Sequence, residues 1–515
     1  MNYKGSLYLA IFIILGAAAA YGRPQDGDSI LNLKTDRESP LGVSVRRYYM
    51  SGASTMHFAD NKSISTAGLT VDIDRSDIAV MAQNGSGHNL YGLSAETYYK
   101  LSPVSTVCGH AGYHNGKSRD IVFSDVIDYD AVAPFVLCDD MGGDLSRQRY
   151  DFGGGWNRIY GSGWSLGVQA DYSATVAHRS VDPRVRNIVS DLNVGIGGGR
   201  RLGGRYLLGL NFGVRVYHQD TDVDFYNTVT HAITMVYTGL GTTSSRFRGA
   251  DAQTGANRMT GFSASLQLVP MAHSDRLYAE VSAEVTDAGL ILNGYNNLKF
   301  GSTATSLFRA RVSRLFTFDR AIKLFPTISA YARNRVATEN LFGSSAENYE
   351  KIGERKNYHH DRYGIEFEMP ASLNRSGTGA VFTLCPRAGY VKDKEYLVEP
   401  SRSLCVDYFF AGVSLTANKK IARRWSIGAT LGYDGRFVRS TSAEWGGLDL
   451  STPIGLMCLS NYNMSSSDIR SQRVGFTASR AVRSVVVSLS AEIEHYDYKS
   501  LSEDNRLIAG LSLTF

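Results

Sequence analysis

The chain has 515 residues, of which 54 are basic and 49 acidic, so the formal charge of +5 is nearly balanced for its length. Without a basic stripe or an acidic tail, this balance argues against a nucleic-acid partner. Hydrophobic residues make up 43% and the mean hydropathy is −0.18. That is too polar for a bundle of membrane helices and too aromatic for a disordered chain, whereas a membrane barrel with a polar lumen averages to such values.

Residues 1–22 have the pattern of a secretory signal peptide. Lys4 supplies the positive charge, Leu7 to Ala20 is uncharged and apolar, and small residues near Ala20 offer cleavage contexts. The run is shorter than the roughly 20 apolar residues of a spanning helix, which favours export over an N-terminal anchor. Residues 23–60 lack a strand pattern, and we interpret them either as a periplasmic lead-in or as a small segment that enters a lumen.

Residues 61–515 alternate apolar with small or polar side chains in segments of about strand length. The clearest ladder runs from Trp164 to Val176, with Leu166, Val168 and Tyr172 on one face and Ser165 among the residues of the other. Period-two alternation places successive side chains on opposite faces of a strand. The ladders therefore predict strands with one apolar and one polar face.

The connections between these ladders alternate in length. Short turns near residues 161–163, 202–204 and 480–483 alternate with long loops near 115–146, 220–256, 337–357 and 440–468, and aromatic residues such as Trp164 and Trp425 lie beside the short turns. Short periplasmic turns, long extracellular loops and an interfacial aromatic girdle are typical of outer-membrane barrels. We therefore predict an all-β, closed antiparallel transmembrane β-barrel of about 18 strands, with 14 or 16 also acceptable, located in a bacterial outer membrane.

The last ladder alternates from Leu507 to the terminal Phe515. A terminal Phe on an alternating last strand resembles the assembly signal of bacterial outer-membrane barrels. The expected partners are therefore the lipid bilayer and the barrel-assembly machinery, with a surface protein as a further partner.

Several short strings in the loops and ladders resemble an uncharacterised family of outer-membrane β-barrel proteins from Bacteroidota. The resemblance covers most of the mature chain and implies location and fold, but no activity and no functional residues. The strings are Ser124-Asp125, Tyr129-Asp130, Gly142-Gly143-Asp144, Ser190-Asp191-Leu192, Asp224-Phe225-Tyr226-Asn227 and Arg246-Phe247-Arg248-Gly249.

Charged residues on the polar faces of the ladders are expected to face the lumen, because a Lys or Arg on the lipid side costs roughly 2–4 kcal/mol near the midplane. Either they stabilise a packed interior, which we favour, or they line a conduction path. Glu280 and Arg309 are expected to be cross-strand neighbours. The predicted lumen charges are Glu280, Glu284, Arg309, Arg311, Glu366, Glu368, Glu492 and Glu494.

The five cysteines leave the disulfide connectivity open. Cys385 and Cys405 lie at about equal distances from Lys394 and would face each other if the hairpin reversed there, although free thiols remain the alternative. We expect no cofactor and no metal, because residues on one strand are too far apart to share an ion. We also expect no enzymatic activity, because no nucleophile has a base at a distinctive spacing.

Three functions remain open at this stage. The first is a diffusion channel or transport-associated barrel, because 16–18 strands leave room for an aqueous lumen. The second is a structural or accessory barrel whose long loops bind a surface or periplasmic protein. The least favoured is a membrane-embedded hydrolase.

Overall fold

The computed structural model of the chain describes residues 26–226, 232–249, 253–318, 321–343, 349–375, 379–499 and 501–515. The predicted signal peptide, residues 1–22, lies outside the described residues. Strand is the dominant structure of the described chain, as the alternating ladders predict.

Eighteen strands form the wall of the molecule, each antiparallel to its neighbours. They are β1 Ile64–Ser76, β2 Gly87–Ser102, β3 Ser105–Ile121, β4 Gly143–Ile159, β5 Trp164–His178, β6 Arg184–Leu202, β7 Tyr206–Asp224, β8 Gln253–Pro270, β9 Leu277–Leu292, β10 Leu298–Arg314, β11 Thr327–Phe342, β12 Lys351–Glu368, β13 Ala380–Leu397, β14 Arg402–Ala422, β15 Trp425–Glu444, β16 Ile469–Val482, β17 Val485–Tyr498 and β18 Ser502–Thr514.

The sheet closes on itself because β1 pairs with both β2 and β18. At the seam, the backbone N–H of Phe515 donates to the carbonyl of Ser65 at 2.8 Å, and the N–H of Ser65 donates to the carbonyl of Phe515 at 3.2 Å. The prediction of a closed antiparallel barrel of about 18 strands is confirmed, and both ends of the wall meet on the short-turn side.

The two faces of the wall differ in chemistry, as β5 illustrates. Leu166 and Val168 are each 47% exposed on the outer surface, whereas Ser165 is fully buried inside. The same contrast runs through the other strands, so the barrel has an apolar exterior and a polar interior, as the ladders predict.

The strands are longer than expected, between 13 and 21 residues, because the polar residues that look like loop in the sequence continue the pairing beyond the apolar band. At the predicted loop 115–146, β3 continues to Ile121 and β4 begins at Gly143; at the predicted loop 337–357, β11 continues to Phe342 and β12 begins at Lys351. Three of the long-loop segments then fold inward over the lumen.

The helices are few and short. They are α1 Gly27–Glu38, α2 Pro40–Met50, α3 Tyr129–Val132 and α4 Pro453–Ser465, with 3₁₀ turns at Met56–Phe58, Ala82–Asn84 and Asn293–Tyr295. In α2 and α4 a proline occupies the first turn, and the hydroxyl of the preceding Ser39 or Thr452 accepts a bond from a backbone N–H, which is a favourable N-terminus. Within the described residues no helix is long and apolar enough to cross a bilayer.

Six further strands lie outside the main run of the wall. Val136–Asp139, Thr234–Gly239 and Thr242–Gly249 form a separate three-stranded sheet over the long-loop end. Phe316–Phe318, Ile322–Leu324 and Ala371–Arg375 extend the wall at the short-turn end.

The predicted disulfide between Cys385 and Cys405 is wrong. The β13–β14 hairpin reverses at residues 398–401 rather than at Lys394, so Cys385 pairs with Ser414 and Cys405 pairs with Lys394. Ser414 and Cys405 are nine residues apart, about 30 Å along a strand, and the odd separation places the two cysteines on opposite faces of the wall. All five cysteines are free thiols.

The predicted pairing of Glu280 with Arg309 is also wrong, by two residues. Glu280 lies opposite Arg311, and Arg309 lies opposite Ser282. A bulge at Phe300 accounts for one residue of the difference, and the position of the hairpin turn at residues 293–297 accounts for the other. A bulge shifts the register of every pair beyond it. Since the ring of Phe300 is buried beneath the folded-in loops, the bulge reflects a tertiary contact that the strand pattern does not show.

The register of β13 and β14 can be tested with an introduced thiol. Lys394→Cys is expected to form a disulfide with Cys405 under mild oxidation, because directly paired strand residues have Cβ atoms within about 4.5–5.5 Å. Mass spectrometry of proteolytic fragments would detect the bond. Tyr396→Cys, two residues away on the same face, is the matched control and should cross-link poorly. Cross-linking of Cys385 to Cys405 in the unmodified chain would contradict this register.

Candidate functional site

The segment before β1 lies inside the short-turn end of the barrel. We call residues 26–63 the inner plug. Its loop 51–55 sits in a socket of four inward-facing wall residues, from β4, β5, β7 and β8, that together bind the loop's polar groups. The socket residues are Asn157, Ser165, Asn211 and Gln267.

The socket bonds are short and buried. The amide of Asn157 donates to the carbonyl of Ala53 at 2.6 Å, the hydroxyl of Ser165 donates to the carbonyl of Ser54 at 2.7 Å, and the N–H of Ser54 donates to Asn211 at 2.9 Å. Glycine at position 167 is required for this approach, because a Cβ there would overlap the Ala53 carbonyl. The loop is thus held by hydrogen bonds to its backbone, which leaves few of its buried polar groups unsatisfied.

Aromatic side chains fix helix α2 against the adjoining strands β8–β10 of the wall. The hydroxyl of Tyr48 and that of Ser313 are 2.5 Å apart, and the hydroxyl of Tyr49 donates to the carbonyl of Pro270 at 2.8 Å. Both rings pack against Tyr278 within 6.0 Å. Burial raises the pKa of both plug tyrosines far above the ordinary value of tyrosine, so they remain neutral hydrogen-bonding groups.

The end of the plug is tied to β2. The hydroxyl of Tyr98 lies 2.9 Å from the carbonyl of His57 and within 3.2 Å of that of Asp60. Nearby, Arg46 contacts Asp60 of the plug at 3.0 Å and Glu96 of the wall at 3.1 Å. Burial lowers the pKa of His57 to about 4, which keeps this histidine neutral at physiological pH.

Helix α1 reaches a distant part of the wall. Its Ile30 and Leu31 are buried against Ala481 and Val486 of β16 and β17. Because loop 51–55 and α2 lie against β4–β10, the plug crosses the lumen from one side to the other. These contacts of residues 26–63 with the wall are all made on its inner side.

The long-loop end is closed by a second body, the outer cap, which comprises residues 122–142, 232–249 and 445–468. Its backbone accepts hydrogen bonds from inward-facing wall residues around the rim: Arg335 donates to the carbonyl of Asp130 at 2.7 Å, Arg402 to that of Leu240 at 2.7 Å, and Arg436 to that of Ser467 at 2.7 Å. The cap therefore contacts widely separated strands of the wall.

The interior of the cap is apolar. Phe247 packs edge-on against Phe300 and Phe342 with ring centroids 5.8 and 5.9 Å apart, and Val136 and Val236 of the small sheet are fully buried. Burial of this apolar surface is the main stabilising contribution to the cap.

A buried ionic triad joins the cap to the outer end of β5. Arg179 donates to Asp139 at 2.5 Å and to Asp125 at 2.9 Å, and all three side chains are almost completely buried. Burial and repulsion by Asp139 raise the pKa of Asp125 well above its ordinary value. Burial alone would raise the pKa of Asp139, but the hydrogen bond with Asp125 and the charge of Arg179 hold it below the ordinary value.

A polar chamber of about 580 Å³ lies in the lumen against the plug. The plug supplies Arg47 and Ser51 to its floor, and strands β5–β12 supply its wall. Five of the eight predicted lumen charges line it: Glu280, Glu284, Arg309, Arg311 and Glu366.

The other three predicted charges lie elsewhere in the barrel. Glu368 accepts a weak bond from the thiol of Cys385 at 3.4 Å. Glu492 and Glu494 belong to a separate ionic network with Arg473, at 3.7 and 2.6 Å, on the wall formed by β16 and β17. The structure thus places five of the predicted residues in one chamber, two in a distant network and Glu368 apart from both.

Two contributions to the chamber are missing from the sequence prediction. Arg47 comes from the plug, and the Arg46-Arg47 pair is the only sequence signal that marks it. Tyr331 lies in the wall, and its ring packs against Gly364, where a Cβ would overlap the ring. The alternation within one strand does not show which residue of the neighbouring strand is a glycine.

Two histidines of β3 lie near carboxylates of the neighbouring strands. His110 lies 3.8 Å from Asp171, and His114 lies 3.3 Å from Asp151. In the described residues, no three His, Cys, Asp or Glu side chains are grouped so that they could hold a metal ion.

The chain belongs to a protein family of unknown function, DUF6850, whose profile matches residues 53–515. The resemblance drawn from the loop strings thus corresponds to membership of an uncharacterised family, while its bacterial group stays a prediction. No curated protein matches the sequence.

Solved structures with similar folds include transport receptors. A mutant ferric enterobactin receptor from Pseudomonas aeruginosa is 8% identical with a TM-score of 0.38, and the match covers 88% of this chain and 80% of that chain. The siderophore receptor PiuA from Acinetobacter baumannii is 7% identical with a TM-score of 0.40, covering 87% and 82%. The unliganded ferric citrate transporter FecA is 9% identical with a TM-score of 0.38, covering 88% and 79%. No property of these receptors is carried over to this chain.

Removing the cation of the triad is expected to loosen the cap. Arg179→Gln leaves two buried carboxyls without a counter-charge, which typically costs about 3–5 kcal/mol, so backbone hydrogen exchange in residues 122–142 should accelerate at pH 7. In this variant the folded-state pKa of the carboxyls lies above the unfolded value. The buried carboxyls are therefore protonated at low pH, where they cost little stability, and they destabilise the folded cap as they ionise with rising pH. Protection of the cap's backbone amides should accordingly recover towards pH 5.

Mass-spectrometric hydrogen exchange checks this expectation. Arg184→Gln is the control, because Arg184 pairs with Asp182 at the exposed start of β6 and a surface pair contributes at most about 1 kcal/mol. Equal acceleration in both variants, or no recovery on acidification, would show that the triad does not hold the cap.

Proposed function

We propose that the protein is an outer-membrane barrel. The outer faces of its strands form an apolar surface far larger than the exposed patches of soluble monomers, and a closed sheet leaves no unpaired edge in hydrocarbon. At the short-turn end, arginines stack on exposed aromatic rings, as Arg200 does on Trp164 at 4.8 Å and Arg480 on Trp425 at 5.1 Å. Aromatic and arginine side chains of this kind suit a membrane–water interface.

We further propose that the barrel is transport-associated and gated rather than a permanently open diffusion channel. The observation that carries this is the position of the chamber: a hydrophilic space of about 580 Å³ lies in the lumen against the plug, which supplies Arg47 and Ser51 to its lining. Passage of a solute requires the plug to change its contacts with the wall. The socket bonds of loop 51–55 are the contacts most readily exchanged, because each contributes only about 0.5–1.5 kcal/mol net.

A second candidate is an accessory barrel that binds a protein at the cell surface. The tips of three neighbouring loops expose Met141, Val181 and Tyr226, which are 57%, 70% and 66% exposed. Exposed apolar side chains grouped at one place favour protein contact. An accessory barrel of this kind functions without movement of the plug, so a test of plug movement distinguishes the two candidate functions.

Single-channel recording in planar bilayers tests the gating proposal. The intact folded protein should show no steady open steps. The double variant Asn211→Ala, Gln267→Ala should open roughly 10- to 100-fold more often, because it removes bonds that hold loop 51–55 and leaves buried partners unsatisfied at about 1–3 kcal/mol each.

Asn193→Ala is the matched control, because Asn193 lines the chamber without contacting the plug. Steady open steps in the intact protein would refute gating. A folded double variant that stays closed would instead favour the accessory barrel.

A further inference from the structure

The charges that line the chamber are balanced in number. Arg47, Arg309 and Arg311 face Glu280, Glu284 and Glu366. One pair is neutralised directly, since Arg311 lies 3.7 Å from Glu280 and Ser51 donates to the same carboxylate at 3.1 Å. Two charges of each sign then remain.

The remaining four side chains have no direct partner in the described part of the chain. Arg47, Arg309, Glu284 and Glu366 make neither a side-chain hydrogen bond nor an ion pair there, and Arg47 and Arg309 are exposed to the chamber. In most barrel interiors such charges would neutralise one another, as the Arg473–Glu494 pair does at 2.6 Å. The chamber instead holds two cations and two anions apart.

Strand register fixes how far apart they are. Arg309 and Glu284 are diagonal neighbours on β10 and β9, about 8 Å apart. Arg309 and Glu366 are separated by two strands and one same-face step, about 12 Å between their Cα atoms. Arg47, on the floor, interacts electrostatically with both Arg311 and Glu366. A small molecule between these side chains can contact both signs at once.

We propose that the chamber binds a zwitterionic solute such as a short peptide. Its carboxylate is bound by Arg309, with Arg47 as the second cation of the chamber, and its ammonium group by Glu366, which lies about 12 Å from Arg309. A volume of about 580 Å³ lies within the range of small-molecule sites, and the surrounding Ser263, Ser265 and Asn193 can bond to peptide groups. A singly charged solute would leave charges of one sign uncompensated, at a cost in a confined site.

This inference rests on the proposed function, because a solute reaches the chamber only through closures that can open. The test therefore removes the question of access: the protein is refolded in detergent in the presence of radiolabelled trialanine, and binding is measured by equilibrium dialysis. N-acetylated and C-amidated trialanine, which lack the ammonium group and the carboxylate respectively, are compared with the parent peptide.

Trialanine should bind about tenfold more tightly than either blocked peptide, because each loses one charge-assisted contact. Arg309→Gln should weaken trialanine binding about tenfold and leave the amidated peptide unaffected. Glu366→Gln should likewise weaken trialanine binding about tenfold and leave binding of the acetylated peptide unaffected. Arg314→Gln, on the outward face of the same strand β10, should change none of the affinities.

The proposal is overturned if folded protein fails to bind trialanine, if blocking either end changes nothing, or if each variant weakens all three peptides equally. The proposals of solute binding and of gating can be refuted separately. A chamber that selects the zwitterion in a barrel that never conducts refutes gating alone, whereas a barrel that opens but does not discriminate between the peptides refutes this proposal alone.

Discussion

Complete hydrogen bonding of the backbone around a closed sheet is the constraint on which the rest of this structure depends. Once β1 pairs with β18, no wall strand has a free edge, and every second side chain points outward. Closure at 18 strands also fixes the width of the interior, which is too large for wall side chains alone to fill. The parts of the chain outside the wall strands fill much of that interior.

The chain occupies the interior from both ends, with different chemistry at each. At the short-turn end, wall amides and hydroxyls bind the backbone of a loop, and tyrosines bridge the plug to the wall. At the long-loop end, an apolar core and a buried triad of Arg179 with two aspartates hold the cap. Hydrogen bonds that water can replace are weak in net terms, whereas a buried core and a buried triad are lost only at substantial cost. The socket bonds of loop 51–55 are thus the contacts most readily exchanged, although the plug also buries Tyr48 and Tyr49 against the wall.

The chamber depends on the plug as well as on the wall. Its floor is the plug, its wall is β5–β12, and its charges come from both. Where strands pair without an intervening body, opposite charges neutralise each other, as Arg506 and Asp72 do at 2.7 Å. Where Arg47 enters from the plug, charges of both signs remain available, which gives the chamber its proposed preference for a zwitterion.

The sequence by itself determined the barrel, because period-two alternation, turn spacing and the terminal ladder are local properties of the chain. It also identified inward-facing charges such as Glu280 and Arg311, since a strand's polar face is visible in its own residues. Tertiary structure alone decided the rest. The turn at residues 293–297 and the bulge at Phe300 together placed Glu280 opposite Arg311, and the true turn at residues 398–401 separated Cys385 from Cys405. The approach of Arg47 to the chamber, and the closure of both ends, depend on contacts between residues more than a hundred positions apart, which no local pattern encodes.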